Sequence, residues 1–137
     1  MDTTGEARWR QRMDNFAAAL ARLDEACAQP SYTNLERAGL AQTFVFSYEL
    51  GWKVLRDLLL YQGYDPNSPR DAIRQGFEAG YLDEDDCETF LDAVGRRNLL
   101  THTYRDETAR EAEALIKKRY HPMLRRLLQA LEAKRTA

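Results

Sequence analysis

Residues 34–62, NLERAGLAQTFVFSYELGWKVLRDLLLYQ, carry apolar side chains along two faces of one helix. One stripe runs Ala41, Phe44, Val45, Tyr48, Trp52, Leu55 and Leu59; a second runs Phe46, Leu50, Val54 and Leu58. Steps of three and four bring side chains to the same side of successive helical turns. At 1.5 Å per residue the helix is roughly 40 Å long. A helix apolar on two faces has to cover both, and a small bundle offers a single core. Two arrangements satisfy that demand: a central helix touched by several neighbours, or a helix that shares one face with a second subunit.

The flanking sequence supplies the neighbours. From Glu6 to Gln29 apolar residues fall at Trp9, Met13, Phe16, Leu20, Leu23 and Cys27, a seam on one helix face that Pro30 and Ser31 end. Beyond the central helix, Ser68 is a good N-cap, Pro69 suits the first helical position, Asp71 lies in the first turn and Gly80 is a plausible stop. Another long element begins near Asp83 with Cys87, Phe90, Leu91 and Val94 on one face. Its acidic start complements the positive end of the helix dipole. The last helix opens at Asp106 or Thr108, where Thr108 to Glu111 has capping-box spacing, and runs to about Lys134. Its inward set is Ala112, Ile116, Tyr120, Met123, Leu127 and Leu131, with a kink expected at Pro122. No stretch alternates with period two. The expected fold is all-α: an up-and-down four-helix bundle with an additional short helix.

At 137 residues the chain reads as one domain, 1–137, large enough for a real core. Hydrophobic residues at 44% and charged residues at 31% suit a globular protein and exclude a disordered one. The net charge of −2 lacks the overall basic field of a typical nucleic-acid binder, so an anion site has to be a local patch. Cys27 and Cys87 fit neither a disulfide framework nor a metal site, and both fall on apolar stripes. No apolar run reaches the ~20 residues of a membrane span and no signal peptide opens the chain, so the expected location is the cytoplasm. Neither cofactor nor metal is expected.

One segment carries chemistry. Arg97-Asn98-Leu99-Leu100-Thr101-His102-Thr103-Tyr104, between the third and fourth long helices, holds one of only two histidines. Arginine offers a fixed cation with forked donors suited to phosphate, and histidine exchanges a proton near neutral pH. Together they suffice for metal-independent attack of an RNA 2′-hydroxyl on its own phosphate, with Asn98 and Thr101 as supporting groups. Spacing alone also permits a surface ion pair for Arg97 and a helix-capping role for His102.

The pattern Arg97, Asn98, His102, Tyr104 resembles the HEPN motif, Arg-x4–6-His, in the form followed by x-Tyr. Phe46-Ser-Tyr-Glu-Leu-Gly-Trp-Lys53 and Asn67-Ser-Pro-Arg-Asp-Ala-Ile-Arg74 are similar to stretches of the same subfamily, and Tyr120-His-Pro122 fits as well. The likeness spans about Leu35 to Leu128 and points to the nucleotidyltransferase substrate-binding group, which includes HepT-like toxins. The resemblance implies a homodimer that brings two Arg–His motifs to a shared cleft. It implies a separate small nucleotidyltransferase as partner, and RNA or a nucleotide in a local basic cleft. It further implies AMP addition to Tyr104 as control of a ribonuclease toxin. It also suggests that Tyr48, Glu49, Trp52 and Lys53 line or brace the cleft, although Glu49 and Lys53 also have the spacing of a plain helix salt bridge. Gly95 and Arg96 stand where an acidic residue is expected; Arg96 should add to phosphate attraction, while Gly95 weakens the helix end by up to ~1 kcal/mol.

Three functions follow. The chain is a ribonuclease toxin, or a non-catalytic nucleotide- or substrate-binding subunit of the nucleotidyltransferase, or a purely structural helical dimer. The stretch from Lys117 to Arg135 also gathers seven cations against Glu132 alone, a solvated face or a steering surface for an anionic partner.

Overall fold

A computed structural model describes residues 3–101 and 105–136, the first two and the last of them by helix backbone only. The described residues form α1 (Thr3–Cys27), α2 (Asn34–Tyr61), α3 (Pro69–Glu78), α4 (Glu84–Gly95), α5 (Arg97–Thr101), α6 (Asp106–Leu115) and α7 (His121–Thr136). A single π turn, Ile116–Tyr120, joins α6 to α7. No strand occurs among them. The all-α bundle expected from apolar spacing is the fold that forms.

α2 lies at the centre and touches α1, α3, α5, α6 and α7. The seam of α1 is buried at Trp9, Met13, Phe16, Leu20 and Leu23, against Leu40, Phe44 and Tyr48 of α2 and their neighbours in one cluster. Near the other end of α2 the buried Asp57 is met by Arg12 of α1 at 2.6 Å and by Arg56 at 3.2 Å. Most of the two-faced character of α2 is thus absorbed within one chain: Val54 and Leu58 of the second stripe are buried. Phe46 is not, at 61% exposed, and Leu50 is only half-buried.

Helix ends follow local chemistry. Thr33 and Glu36 form a reciprocal capping box at the start of α2. Ser68 caps α3 with Pro69 in its first turn, and Asp83 caps α4 by accepting from the Asp86 amide. After α3 the chain turns at Gly80, φ +90°, where the Tyr81 amide reaches back to the Gly76 carbonyl at 2.9 Å. A side chain at Gly76 would meet Leu55 at 2.7 Å, so glycine is what lets α3 lie this close to α2.

Two sequence expectations need correction. Thr108 to Glu111 is not a capping box: α6 begins at Asp106, with Arg105 at its N-cap and no side-chain cap bond. Asp106 and Glu107 occupy the first turn, and their charge favours the earlier start. The third long helix, α4, stops at Gly95, ahead of the motif as expected, and Arg97–Thr101 forms a separate helical turn and a half. The last helix is not simply kinked. Pro122 has no amide to offer and its ring crowds the carbonyl four residues back, and the turn before it widens to π geometry, the His121 amide reaching Ile116. The expected inward set, from Ala112 to Leu131, is buried throughout.

The basic stretch of the last helix is largely spent on packing. Arg125 and His121 share Asp24 of α1, the histidine Nε2 at 2.5 Å. Arg126 meets the buried Asp86 of α4 at 2.8 Å, Arg135 meets Asp14 at 2.6 Å, and Arg119 lies 3.7 Å from Asp92. Lys117 donates to the Gln29 carbonyl and sits over the Tyr32 ring. These acids are remote in sequence, so the local charge count overstates the field this face projects.

Candidate functional site

α4 and α5 meet at Arg96, and Arg97 is the first residue of α5. Arg97 is 61% exposed, with its guanidinium 3.6 Å from Glu49 of α2. Glu49 in turn accepts from the Trp52 indole at 3.1 Å. One hydrogen bond and one ion pair, from different elements, therefore hold Glu49, and the i, i+4 partner Lys53 supplies neither. The pairing leaves much of the Arg97 fork open to solvent, and a rim ion pair of this kind is weak enough for a phosphate to displace.

Beside this pair runs a groove of roughly 1100 Å³ between α1 and α2, closed at one end by Leu100 and Thr101 of α5. Ala18, Ala19 and Ala38 leave it room, and Val45, Phe46 and Leu50 give it an apolar wall. Asn15, Arg22, Gln42, Thr43 and Glu49 supply its polar atoms. Arg22, exposed on the polar face of α1, was not legible as a site residue from the sequence, since nothing near it marks a motif. Among the described residues no group of three His, Cys, Asp or Glu side chains is arranged to hold a metal ion.

The other sequence-derived candidates fall as follows. Thr101 bonds its hydroxyl to the Arg97 carbonyl at 2.7 Å and is exposed, as is Asn98. Tyr48 is buried, stacked on Phe44 at 5.7 Å and edge-on to Phe90, so it braces the site from beneath and offers no face to a ligand. Burial, with the Glu49 charge beside it, pushes the Tyr48 hydroxyl up to about 12, so it stays protonated at neutral pH and is no base. Trp52 is half-buried under the Arg56 guanidinium. His102 and Tyr104 lie outside the described residues.

Arg96 is turned away from Glu49. Its Nε meets both oxygens of Asp92 at 3.1 and 3.2 Å, and its guanidinium reaches Glu111 of α6 at 3.3 Å. Asp92 also accepts from the buried Tyr120 hydroxyl at 2.6 Å. Burial alone would raise the Asp92 carboxyl, but the Tyr120 hydroxyl, the Arg96 bonds and the Arg119 charge together bring it below its ordinary value. A depressed folded-state pKa stabilises the fold above the unfolded value of about 3.9, and that stability is lost as pH falls through the lower folded value. Urea titrations of wild type and Asp92→Asn are therefore expected to differ by a constant amount above about pH 5, and the difference should shrink below about pH 4. A difference that grows on acidification would contradict this assignment.

Residues 11–133, which include α5 and the groove, match the family described as nucleotidyltransferase substrate binding protein like. The chain belongs to that family. A solved protein of Thermus thermophilus shares 30% identity with this member of the family, with a TM-score of 0.77 over 85% of this chain and 98% of that one. A chain from a mutant form of the MntA-HpeT toxin–antitoxin structure has the same fold at 13% identity, with a TM-score of 0.73 over 91% of this chain and 97% of that one. No curated protein matches the sequence. The substrate-binding family match covers every motif that carries the HEPN resemblance, from Phe46–Lys53 to Tyr120–Pro122. Among the described residues no helix of this family member is long and apolar enough to cross a membrane.

Proposed function

We propose that this chain is a single-domain, cytoplasmic HEPN-type partner of a small, separate nucleotidyltransferase and the metal-independent ribonuclease of a toxin–antitoxin pair. The observation that carries the reading is Arg97: a largely exposed guanidinium paired with Glu49, a residue that lines a wide groove, and held among the described residues by that displaceable carboxylate, within an intact Arg-Asn-x3-His-x-Tyr sequence. In this reading Arg97 neutralises the charge developing on the scissile phosphate. His102 takes the proton from the RNA 2′-hydroxyl, whose oxygen forms a bond to phosphorus as the bond to the 5′-oxygen breaks. The leaving oxygen gains a proton, and the products are a 2′,3′-cyclic phosphate and a 5′-hydroxyl. Acid and base are then two groups, which a homodimer supplies by bringing a second motif to the same cleft. Control comes from the nucleotidyltransferase, which transfers AMP from ATP to the Tyr104 oxygen and releases pyrophosphate.

The homodimer finds support in the apolar wall beside the motif. Phe46 is the most exposed aromatic among the described residues, with Val45 and Leu50 next to it. Replacing Phe46 with glutamate is expected to shift sedimentation from dimer to monomer while the helical circular dichroism stays unchanged. A variant that remains dimeric would place the interface elsewhere.

The family description itself favours a second reading, a subunit that binds nucleotide or substrate without turnover. Incubation of wild type and His102→Ala with RNA in chelator separates the two. Cleavage lost with His102 supports the ribonuclease; inert wild type that co-purifies with a nucleotidyltransferase and binds nucleotide supports the subunit.

A further inference from the structure

Two adjacent arginines begin the motif, and the fold treats them differently. Arg96 ends α4 as its C-cap, with φ −100° and ψ 16°, and its carbonyl accepts the Leu100 amide at 3.1 Å, so the same residue also opens α5. The direction of α5 is set at this one position. The side chain meanwhile reaches back to Asp92 on α4 and across to Glu111 on α6. Asp92 is itself anchored: the Tyr120 hydroxyl that bonds it belongs to a fully buried ring, stacked on Phe44 at 5.2 Å. Arg119 adds a further cation at 3.7 Å on the same carboxylate.

We infer that Arg96 is a positioning residue: tied to Asp92 and Glu111, it fixes α5 on the bundle so that Arg97 emerges opposite Glu49 at the groove mouth. The inference rests on the reading of Arg97 as the group that neutralises the charge developing on the scissile phosphate. It assigns the two cations separate tasks. A phosphate contact from Arg96 requires breaking its bonds to two carboxylates; among the described residues Arg97 has one to release, at a longer distance.

The test is made on the full-length protein with Arg96→Gln and Glu111→Gln as separate variants. Glu111 is an acid and cannot attract phosphate, so the two substitutions coincide only if they undo the same joint. The first readout needs no substrate. The Trp52 indole N–H donates to Glu49, which also faces Arg97, so its proton–nitrogen resonance, assigned with Trp52→Phe, reports the Arg97–Glu49 contact. Both variants are expected to move that resonance in the direction that Arg97→Gln moves it, with Arg96→Lys giving partial recovery. On an RNA oligonucleotide, both should lower kcat about tenfold or more and leave KM and its salt dependence unchanged, as misplacement of a catalytic group does. The inference is overturned if the Trp52 resonance stays put in both variants. It is equally overturned if Arg96→Gln raises KM and flattens the salt dependence while Glu111→Gln has no effect, the signature of a direct phosphate contact. Should wild type cleave no RNA, the ribonuclease reading fails, and the indole resonance still decides the role of Arg96.

Discussion

Arg97→Ala and His102→Ala are each expected to abolish RNA cleavage in metal-free buffer to within detection, a loss of about a hundredfold or more. Removing one donor aimed at developing charge costs on the order of 10²–10³ in rate, and removing a general acid or base costs on the order of 10²–10⁴. Because the two act on the same transition state, the double variant should be little worse than either single one. Arg97→Lys should fall between wild type and alanine: it keeps the charge, but a point cation does not reproduce the guanidinium fork. Cleavage rates of the variants and wild type on one labelled oligonucleotide decide the matter. Undiminished cleavage by Arg97→Ala would remove Arg97 from the chemistry.

The second large effect is on stability. Phe44 is fully buried between Tyr48 at 5.7 Å and Tyr120 at 5.2 Å, and this stack joins α2 to the π turn of the last helix. Phe44→Ala is expected to destabilise the fold by about 3–5 kcal/mol, since truncation of a buried aromatic loses its transfer energy and leaves a cavity. Phe77, 44% exposed on α3, is the matched control, and alanine there should change stability by no more than about 0.5 kcal/mol. Urea midpoints of the two variants provide the comparison. A similar small loss at both positions would mean that the stack contributes little.

Much of the architecture was legible because it rests on local periodicity. The seam of α1 and the inward set of the last helix are apolar at spacings only a helix satisfies, and both are buried except for Cys27, which is half-buried at the end of α1. Ser68, Pro69 and Gly80 act at the positions their backbone chemistry suits. Capping shows where such reading fails. Thr33 to Glu36 and Thr108 to Glu111 have identical spacing, yet only Thr33 adopts the extended backbone of an N-cap, because the acids before Thr108 have already begun α6.

The site divides in the same way. The motif is contiguous, so Arg97 could be singled out from the chain alone. Its pairing with Glu49 could not, because the two lie on different helices, whereas the local alternative of Glu49 with Lys53 was visible. Asp92 and Arg96 are four apart on the sequence, the spacing of a helical ion pair, but from the chain alone Arg96 reads only as an added phosphate-attracting cation, and Glu111 and Tyr120 join the pair only through packing. The cations of the last helix were visible as a run, but their acids on α1 and α4 became partners only through packing.

The π turn leaves a trace that can be followed by counting. On an uninterrupted α-helix at about 100° per residue, Ala112 and Leu131 would sit about 100° out of phase, yet both are buried. One residue absorbed by the wide turn brings them back into line, so Ile116–Tyr120 works as a phase corrector between two halves of the last helix. A further residue inserted there, beyond what the wide turn absorbs, would rotate everything beyond it about a third of a turn. Met123, Leu127 and Leu131 would leave the core together with the arginines that grip α1 and α4. A one-residue deletion within the wide turn, by contrast, gives a regular helix with Ala112 and Leu131 still in phase.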